Sequence, residues 1–328
     1  MKFKLATVFA VCAAVALGAL DAVAPAGAAP VKKTQVAKRK VGKVGIGKAV
    51  VKRADRRIEA HESDNLLLKS AAVVVQDQAS GEILFEKNSD AVLPIASITK
   101  LMTAMVVLDA QQSLTETLTI GSEDVDMLRG SRSRLAVGTR LSREDMLLLA
   151  LMASENRAAS ALSRHYPGGA QAFIVAMNHK ATAIGLKDTH FSDPTGLTAA
   201  NVSSARDLTK MVAAAAHYPL IRQLSTTSER AVTVGKREVT FRNTNTLVRN
   251  QAPGWEIAVS KTGYIREAGK CLVMQAWLNN RPVVIVLLDS LSRMARTGDA
   301  TRIKHWIENA SAGGHSPRAV LGRRATAG

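Results

Sequence analysis

The sequence predicts an α+β fold, a single antiparallel sheet flanked by a helix-rich lobe, on three observations. Strand-like segments gather at both ends of the central part, over 71–87 and 230–290. Helical patterns fill the interval between them. No internal repeat divides the chain, and 328 residues that are 47% hydrophobic suffice for one large domain or two small ones.

The first segment, MKFKLATVFAVCAAVALGALDAVAPAGAA, has the form of a secretory signal over residues 1–28. Lys2 and Lys4 make a charged start, 5–20 an apolar core, and Ala26-Gly27-Ala28 a small-x-small cleavage site. The alternative is an uncleaved anchor helix. The apolar core is short for a span and small residues follow it, so cleavage and a periplasmic location are expected. No later run is long enough and charge-free enough to span a bilayer.

Residues 29–57 hold eleven Lys or Arg against one Asp, without helical or strand period. They predict a disordered basic linker over 29–62. The formal net charge is +17 and the pI about 10.2; the signal holds +1 of that charge, this stretch +10, and Arg318, Arg323 and Arg324 in the tail +3. The body keeps about +3, so basicity belongs to the linker and not to the folded domain. Its expected partners are anionic lipid or acidic wall polymer; a secretory signal argues against nucleic acid. A plain solvated tether is the blander reading.

A globular body is expected over 63–310 and a disordered tail over 311–328. AAVVVQD and GEILFEK alternate as two strands around QASG, a hairpin. The run 95–108 is apolar nearly all round, the pattern of a buried helix. LSREDMLLLALMA, RAASALSRHY, AQAFIVAMNHKATAIG and SARDLTKMVAAAAHY continue the helical lobe. RAVTV, REVTF, EIAVSK, KCLVMQAWLN and RPVVIVLLDS return to strand. A last helix near 293–310 carries Ile303, Trp306, Ile307 and Ala310 at i, i+3, i+4, i+7 spacing. Cys12 leaves with the signal, and Cys271 remains as a lone thiol of the kind that fills cores.

Three short motifs carry chemistry. Ser97-x-x-Lys100 is the only S-x-x-K in the chain. On a helix the two share a face, and a lysine in so apolar a run either snorkels to the surface or is held beside the serine. Burial would lower its pKa, Lys261 would add like-charge repulsion, and a neutral amine beside a hydroxyl makes an activated nucleophile. Ser154-Glu155-Asn156 lies between two helical patterns and presents a hydroxyl and an amide, although Ser154 taken alone is a good helix cap. Lys261-Thr262-Gly263 ends an alternating strand: a cation for a carboxylate, then a glycine that lets a ligand approach the backbone. Ser63-Asp64-Asn65 spells a similar triplet, but it precedes Ser97 and reads as a polar domain boundary.

In this order the motifs resemble those of the penicillin-recognising serine enzymes. LPIASITKLMTAMVVLDA, ALMASENRAASALSRHYPGG, FSDPTGL, FRNTNTLV and SKTGYIREAGKCLVM narrow the resemblance, over about 65–310, to the D-alanyl-D-alanine endopeptidase branch of the low-molecular-mass penicillin-binding proteins. The resemblance implies a β-lactamase/transpeptidase-like fold, peptidoglycan as substrate, β-lactams as covalent inhibitors, and neither metal nor cofactor. It implies that Ser97 is the nucleophile, Lys100 its base, Ser154 a proton relay and Asn156 a substrate-positioning amide. Lys261, Thr262, Gly263 and Tyr264 would bind substrate, with the N–H groups of Ser97 and Tyr264 as the oxyanion hole. Asp193-Pro194-Thr195-Gly196, a turn by composition, would edge the site. A class A β-lactamase would need a deacylating glutamate after the second motif, and 157–228 contains none. A D-alanyl-D-alanine carboxypeptidase is the closer rival, and a non-catalytic wall-binding protein the third reading.

Overall fold

The computed structural model describes residues 66–312. The signal, the linker, Ser63-Asp64-Asn65 and residues 313–328 of the tail lie outside the described residues. Strands β1 (Ser70–Asp77) and β2 (Ile83–Lys87) form the first hairpin. Strand β3 (Leu93–Pro94) leads through a 3-10 turn, Ala96–Thr99, into α1 (Lys100–Asp109). The lobe continues with β4 (Thr117–Thr119), β5 (Arg140–Ser142), α2 (Arg143–Met152), α3 (Asn156–Arg164) and α4 (Gly169–Ala183). After β6 (Val202–Ser203) come α5 (Ala205–Ala216) and α6 (Pro219–Ser225). Strands β7 (Glu229–Val234) and β8 (Arg237–Arg242) precede the short α7 (Thr246–Arg249). Strands β9 (Glu256–Ile265), β10 (Gly269–Leu278) and β11 (Arg281–Ser290), then α8 (Arg293–Ala312), close the domain.

The main sheet has the order β2-β1-β11-β10-β9, all antiparallel. Its two ends come from the two ends of the domain, because β1 pairs with β11 in the register Val73↔Leu287 and Val75↔Ile285. Both faces are covered, which is why RPVVIVLLDS reads as a continuous apolar run and not as an alternation. Val73, Val75, Leu272, Met274, Ile285 and Leu287 pack on Ala300, Ile303 and Ile307 of α8. Ala72, Val74, Val273, Val284, Val286 and Leu288 join the core of the helical lobe. The α+β architecture is as predicted.

Two elements differ from the sequence reading. RAVTV and REVTF form strands, but β7 and β8 pair only with each other and stay outside the main sheet. The buried helix predicted from residue 95 begins as the 3-10 turn, and its α-helical part starts only at Lys100. Ala96, at φ +48°, is left-handed and cannot continue the α-helix backward.

A buried carboxylate ties the ends together. Asp299 accepts from the backbone N–H of Lys69 (3.0 Å) and of Ser70 (2.7 Å), and from Ser70 Oγ (2.6 Å). Ser70 Oγ lies 2.6 Å from Ser290 Oγ, and Arg302 pairs with the same carboxylate. β1, β11 and α8 thus share one polar node. Asp299→Ala strands these buried donors and leaves Arg302 unpaired, so a loss of about 3 kcal/mol is expected in denaturant unfolding. Penicillin acylation per folded molecule should not change; a stability within 0.5 kcal/mol of the parent, on the order of a neutral surface change, would refute the node.

Candidate active site

Ser97 sits inside the 3-10 turn, one residue after the strained Ala96. A left-handed conformation in a non-glycine residue costs about 1–3 kcal/mol and needs its surroundings to hold it. Gly196 does much of the holding. At φ +79°, a Cβ there would fall 1.9 Å from the Ala96 carbonyl oxygen and 2.9 Å from Ser97 N, so only glycine lets the 193–196 turn pack on the serine's backbone. Asp193 shapes that turn by accepting from Thr195 Oγ1 (2.6 Å) and Gly196 N (2.7 Å).

Lys100 does not snorkel. It is completely buried, with Nζ 2.9 Å from Ser97 Oγ, 2.7 Å from Asn156 Oδ1 and 2.6 Å from the Thr195 carbonyl oxygen. Burial pushes its ammonium down to about 7, against the raising influence of Asp193 and Glu155. A neutral amine has two N–H bonds and one lone pair. The Thr195 carbonyl can only accept, and Asn156 turns its Oδ1 here because its Nδ2 donates to Ser131 Oγ (3.0 Å). Those two acceptors take the two N–H bonds, and the lone pair is left facing the Ser97 hydroxyl.

Ser154 has the same strained backbone, φ +60°. It is not the cap of α3: Glu155 flanks that helix, without a side-chain cap bond. Its Oγ instead accepts from Lys261 Nζ (2.9 Å), which also donates to the Thr262 carbonyl (2.9 Å). Lys261 is as buried as Lys100, and its pKa lies well below the usual lysine range through burial, then Lys100, then Arg296. The like-charge repulsion between Lys100 and Lys261 expected from the sequence is present, and it disfavours holding both as ammonium.

Lys261, Thr262, Gly263 and Tyr264 lie on β9, the edge strand. A Cβ on Gly263 would come 2.8 Å from the Ile95 carbonyl oxygen and 3.2 Å from Ser97 N. This close approach brings the edge of β9 against the turn that carries Ser97. Thr262 Oγ1 donates to Thr244 Oγ1 (2.7 Å), and the Tyr264 side chain is exposed.

A cavity of about 270 Å³ opens between these parts. Ser97, Ser154, Asn156, Thr262, Gly263 and Tyr264 reach it; Lys100 and Lys261 lie beneath, behind their serines. Sequence reasoning missed Thr244, Lys270, Arg293 and Arg296, which also line it, together with Ser131 and the Thr195 carbonyl. Among the described residues, no carboxylate lines the cavity. Arg296 is buried, donates through Nη1 to the Cys271 carbonyl (2.8 Å), and has an Nε with no partner among the described residues. Burial lowers its pKa to about 10. Cys271 is a core residue as expected, its thiol pushed up to about 11 by burial.

Fold and site define the class: a serine enzyme of acyl transfer, with a lysine where other such enzymes use histidine. The chain belongs to the peptidase S11 family, described as D-alanyl-D-alanine carboxypeptidase, whose profile matches residues 59–292. It is 50% identical to a D-alanyl-D-alanine endopeptidase of Pseudomonas aeruginosa and 47% identical to one of Escherichia coli, each over 74% of this chain and 78% of the relative. Among solved structures, the Streptomyces K15 DD-transpeptidase superposes with a TM-score of 0.67 at 30% identity, over 73% of this chain and 96% of its own. Penicillin-binding protein D2 of Listeria monocytogenes, solved in an ampicillin-bound form, gives 0.63 at 28% identity, over 74% and 98%.

The state of Lys100 sets a pH dependence. Its pKa of about 7 means that the neutral amine dominates above that pH and is lost below it. The second-order rate of penicillin acylation should therefore plateau above about pH 7 and fall close to tenfold per unit well below it. Lys100→Arg, which cannot deprotonate, should lose at least about 10²-fold. A flat profile from pH 5 to 9, or a Lys100→Arg variant acylated at near-parental rate, would assign the base elsewhere.

Proposed function

We propose that the chain is a periplasmic serine DD-endopeptidase that hydrolyses D-alanyl cross-links of peptidoglycan through an acyl-serine intermediate. The observation that carries the reading is the buried Lys100 Nζ, 2.9 Å from Ser97 Oγ and held there by two fixed acceptors, Asn156 Oδ1 and the Thr195 carbonyl. Ser97 Oγ attacks the D-alanyl carbonyl while its proton passes to Lys100 Nζ. The N–H groups of Ser97 and Tyr264 receive the oxyanion. The C–N bond then breaks as Ser154, held by Lys261, passes its hydroxyl proton to the departing amine and is reprotonated with the proton Lys100 took from Ser97, so that Lys100 is a neutral amine again. Asn156 positions the substrate amide. Thr262 and the unpartnered Nε of Arg296 receive a carboxylate on the departing side. Water, deprotonated by the same lysine, cleaves the acyl ester and restores Ser97.

The alternatives have weaker support. A β-lactamase needs a carboxylate to drive deacylation, and none lines the cavity. Glu155, adjacent in sequence, is engaged by Ser133 Oγ (2.6 Å) and Arg134. Penicillin should therefore stay bound as an inhibitor. A purely wall-binding role gives no reason for two strained residues and two buried lysines of lowered pKa around one serine. Carboxypeptidase activity shares the acyl half of the reaction. Relatives named carboxypeptidase, such as one from Bacillus subtilis, are 32% identical, against 50% and 47% for those named endopeptidase.

Purified dimeric muropeptides should be split faster than monomeric pentapeptides lose D-alanine, read as a kcat/KM ratio by mass-resolved chromatography. Ser97→Ala should fold, take up no labelled penicillin and cleave neither substrate. Faster release of terminal D-alanine would replace this reading with the carboxypeptidase one. The basic linker, we further propose, tethers the enzyme to anionic lipid or wall polymer, a reading supported by its charge alone. A chain starting near His61 should keep its turnover of soluble fragments and lose salt-sensitive binding to sacculi or anionic vesicles; undiminished binding would remove the tether.

A further inference from the structure

Three cations line the cavity besides the two buried lysines beneath it: Lys270, Arg293 and Arg296. None of them makes an ion pair with a described residue; Arg293 is exposed, but Arg296 is buried and Lys270 half-buried, as are Arg143, Arg164 and Lys180, which do have carboxylate partners. Lys270 is directly opposite Tyr264 in the β9–β10 register. Its Nζ stands 2.9 Å from the centre of the Tyr264 ring and makes no hydrogen bond to a described residue. The aromatic face holds the ammonium in place and leaves its three N–H donors unspent. Burial and then the charges of Arg293 and Arg296 disfavour the protonated form of Lys270, so the three repel one another and share a common anionic demand.

One carboxylate satisfies only part of that demand. Arg296 lies deepest, with its unpartnered Nε, and takes the first. Lys270 and Arg293 stand further out, on the same cavity. The two rival substrates differ in this respect. A departing D-alanine carries one carboxylate. A departing stem peptide carries its amine on a side chain and at least one further carboxylate along its own backbone.

We propose that Lys270, steadied by Tyr264, is a specificity-determining residue that binds a second carboxylate, on the departing stem peptide, and so favours cross-link cleavage over trimming of terminal D-alanine. The inference rests on the endopeptidase reading and names the group that produces its selectivity. Acyl-enzyme chemistry is untouched by it: Lys270 holds no reacting atom, and its contribution enters as remote binding energy that only the larger leaving group can use.

Lys270→Met, Lys270→Arg and the parent are compared on two substrates: a purified muropeptide dimer, and a monomeric pentapeptide that loses D-alanine. Lys270→Met should lower the ratio of the two kcat/KM values by about tenfold or more, roughly the worth of one partly desolvated charge pair. Lys270→Arg should restore most of it. Added salt should lower the ratio in the parent more than in Lys270→Met. Labelled penicillin monitors the folded, competent fraction of each variant. Equal losses on both substrates, or an unchanged ratio, would overturn the inference while the endopeptidase reading stands. A parent enzyme that is acylated by penicillin but fails to split dimers would remove that reading, and this inference with it.

Discussion

Everything at the site follows from keeping one amine dry. Lys100 has no solvent exposure, so its charge has no water to stabilise it, and its pKa falls to about 7. At that value about half of the molecules at neutral pH hold Lys100 as a neutral amine beside Ser97. Dryness alone would leave an unsatisfied polar group, so each N–H needs an acceptor. These come from two distant parts of the chain, Asn156 at the start of α3 and Thr195 in the 193–196 turn. Packing the turn that closely requires Gly196 and a left-handed Ala96. The strain around Ser97 is thus a consequence of burying its base.

A second amine creates a second constraint. Lys261 is buried close enough to Lys100 to feel its charge. Two charged lysines in one dry site would repel strongly, as the depression of Lys261 records. The site therefore disfavours two protonated amines at once, and each amine stands behind a different hydroxyl, Lys100 behind Ser97 and Lys261 behind Ser154. In the proposed mechanism, that placement separates the role of taking a proton from that of giving one. Such coupled groups titrate as a unit, so a pH profile reports the pair as well as Lys100.

Much of this was legible in the sequence, and the rest was not, for a local reason. Ser97 and Lys100, Ser154 and Asn156, and the four residues from Lys261 to Tyr264 are each set by short-range backbone geometry, a helical turn, a loop or a strand end. Spacing within a motif records that geometry. Arg296 and Lys270 have no such record: one reaches the cavity from α8 and the other from β10, and only tertiary pairing unites them. The main strands were readable because two buried faces demand unbroken apolar runs. Their partners were not. The β7–β8 ribbon shows the limit, since only Val232 and Phe241 of it are buried and a period of two says nothing about which sheet a strand joins. Ala96 was unreadable for the opposite reason. Local propensity favours helix there, and the approach of Gly196 overrides it.

The position of β9 completes the argument. An unpaired edge strand is ordinarily a liability, and proteins cover it or charge it. Here α6 and the Ala96–Thr99 turn pack against β9, while the part carrying Thr262 and Tyr264 opens on the cavity. Had β7 and β8 joined the sheet beside β9, the chain would have buried that edge and lost the site. Their pairing with each other alone keeps the edge free. A substrate peptide can use the backbone groups of such an edge whatever its side chains are, because extended chains all present the same donors and acceptors. Recognition by the edge is therefore indifferent to what departs. Discrimination between leaving groups has to come from side chains beyond it, and among the residues lining the cavity the cations of β10 and α8 are the charged groups placed to supply it.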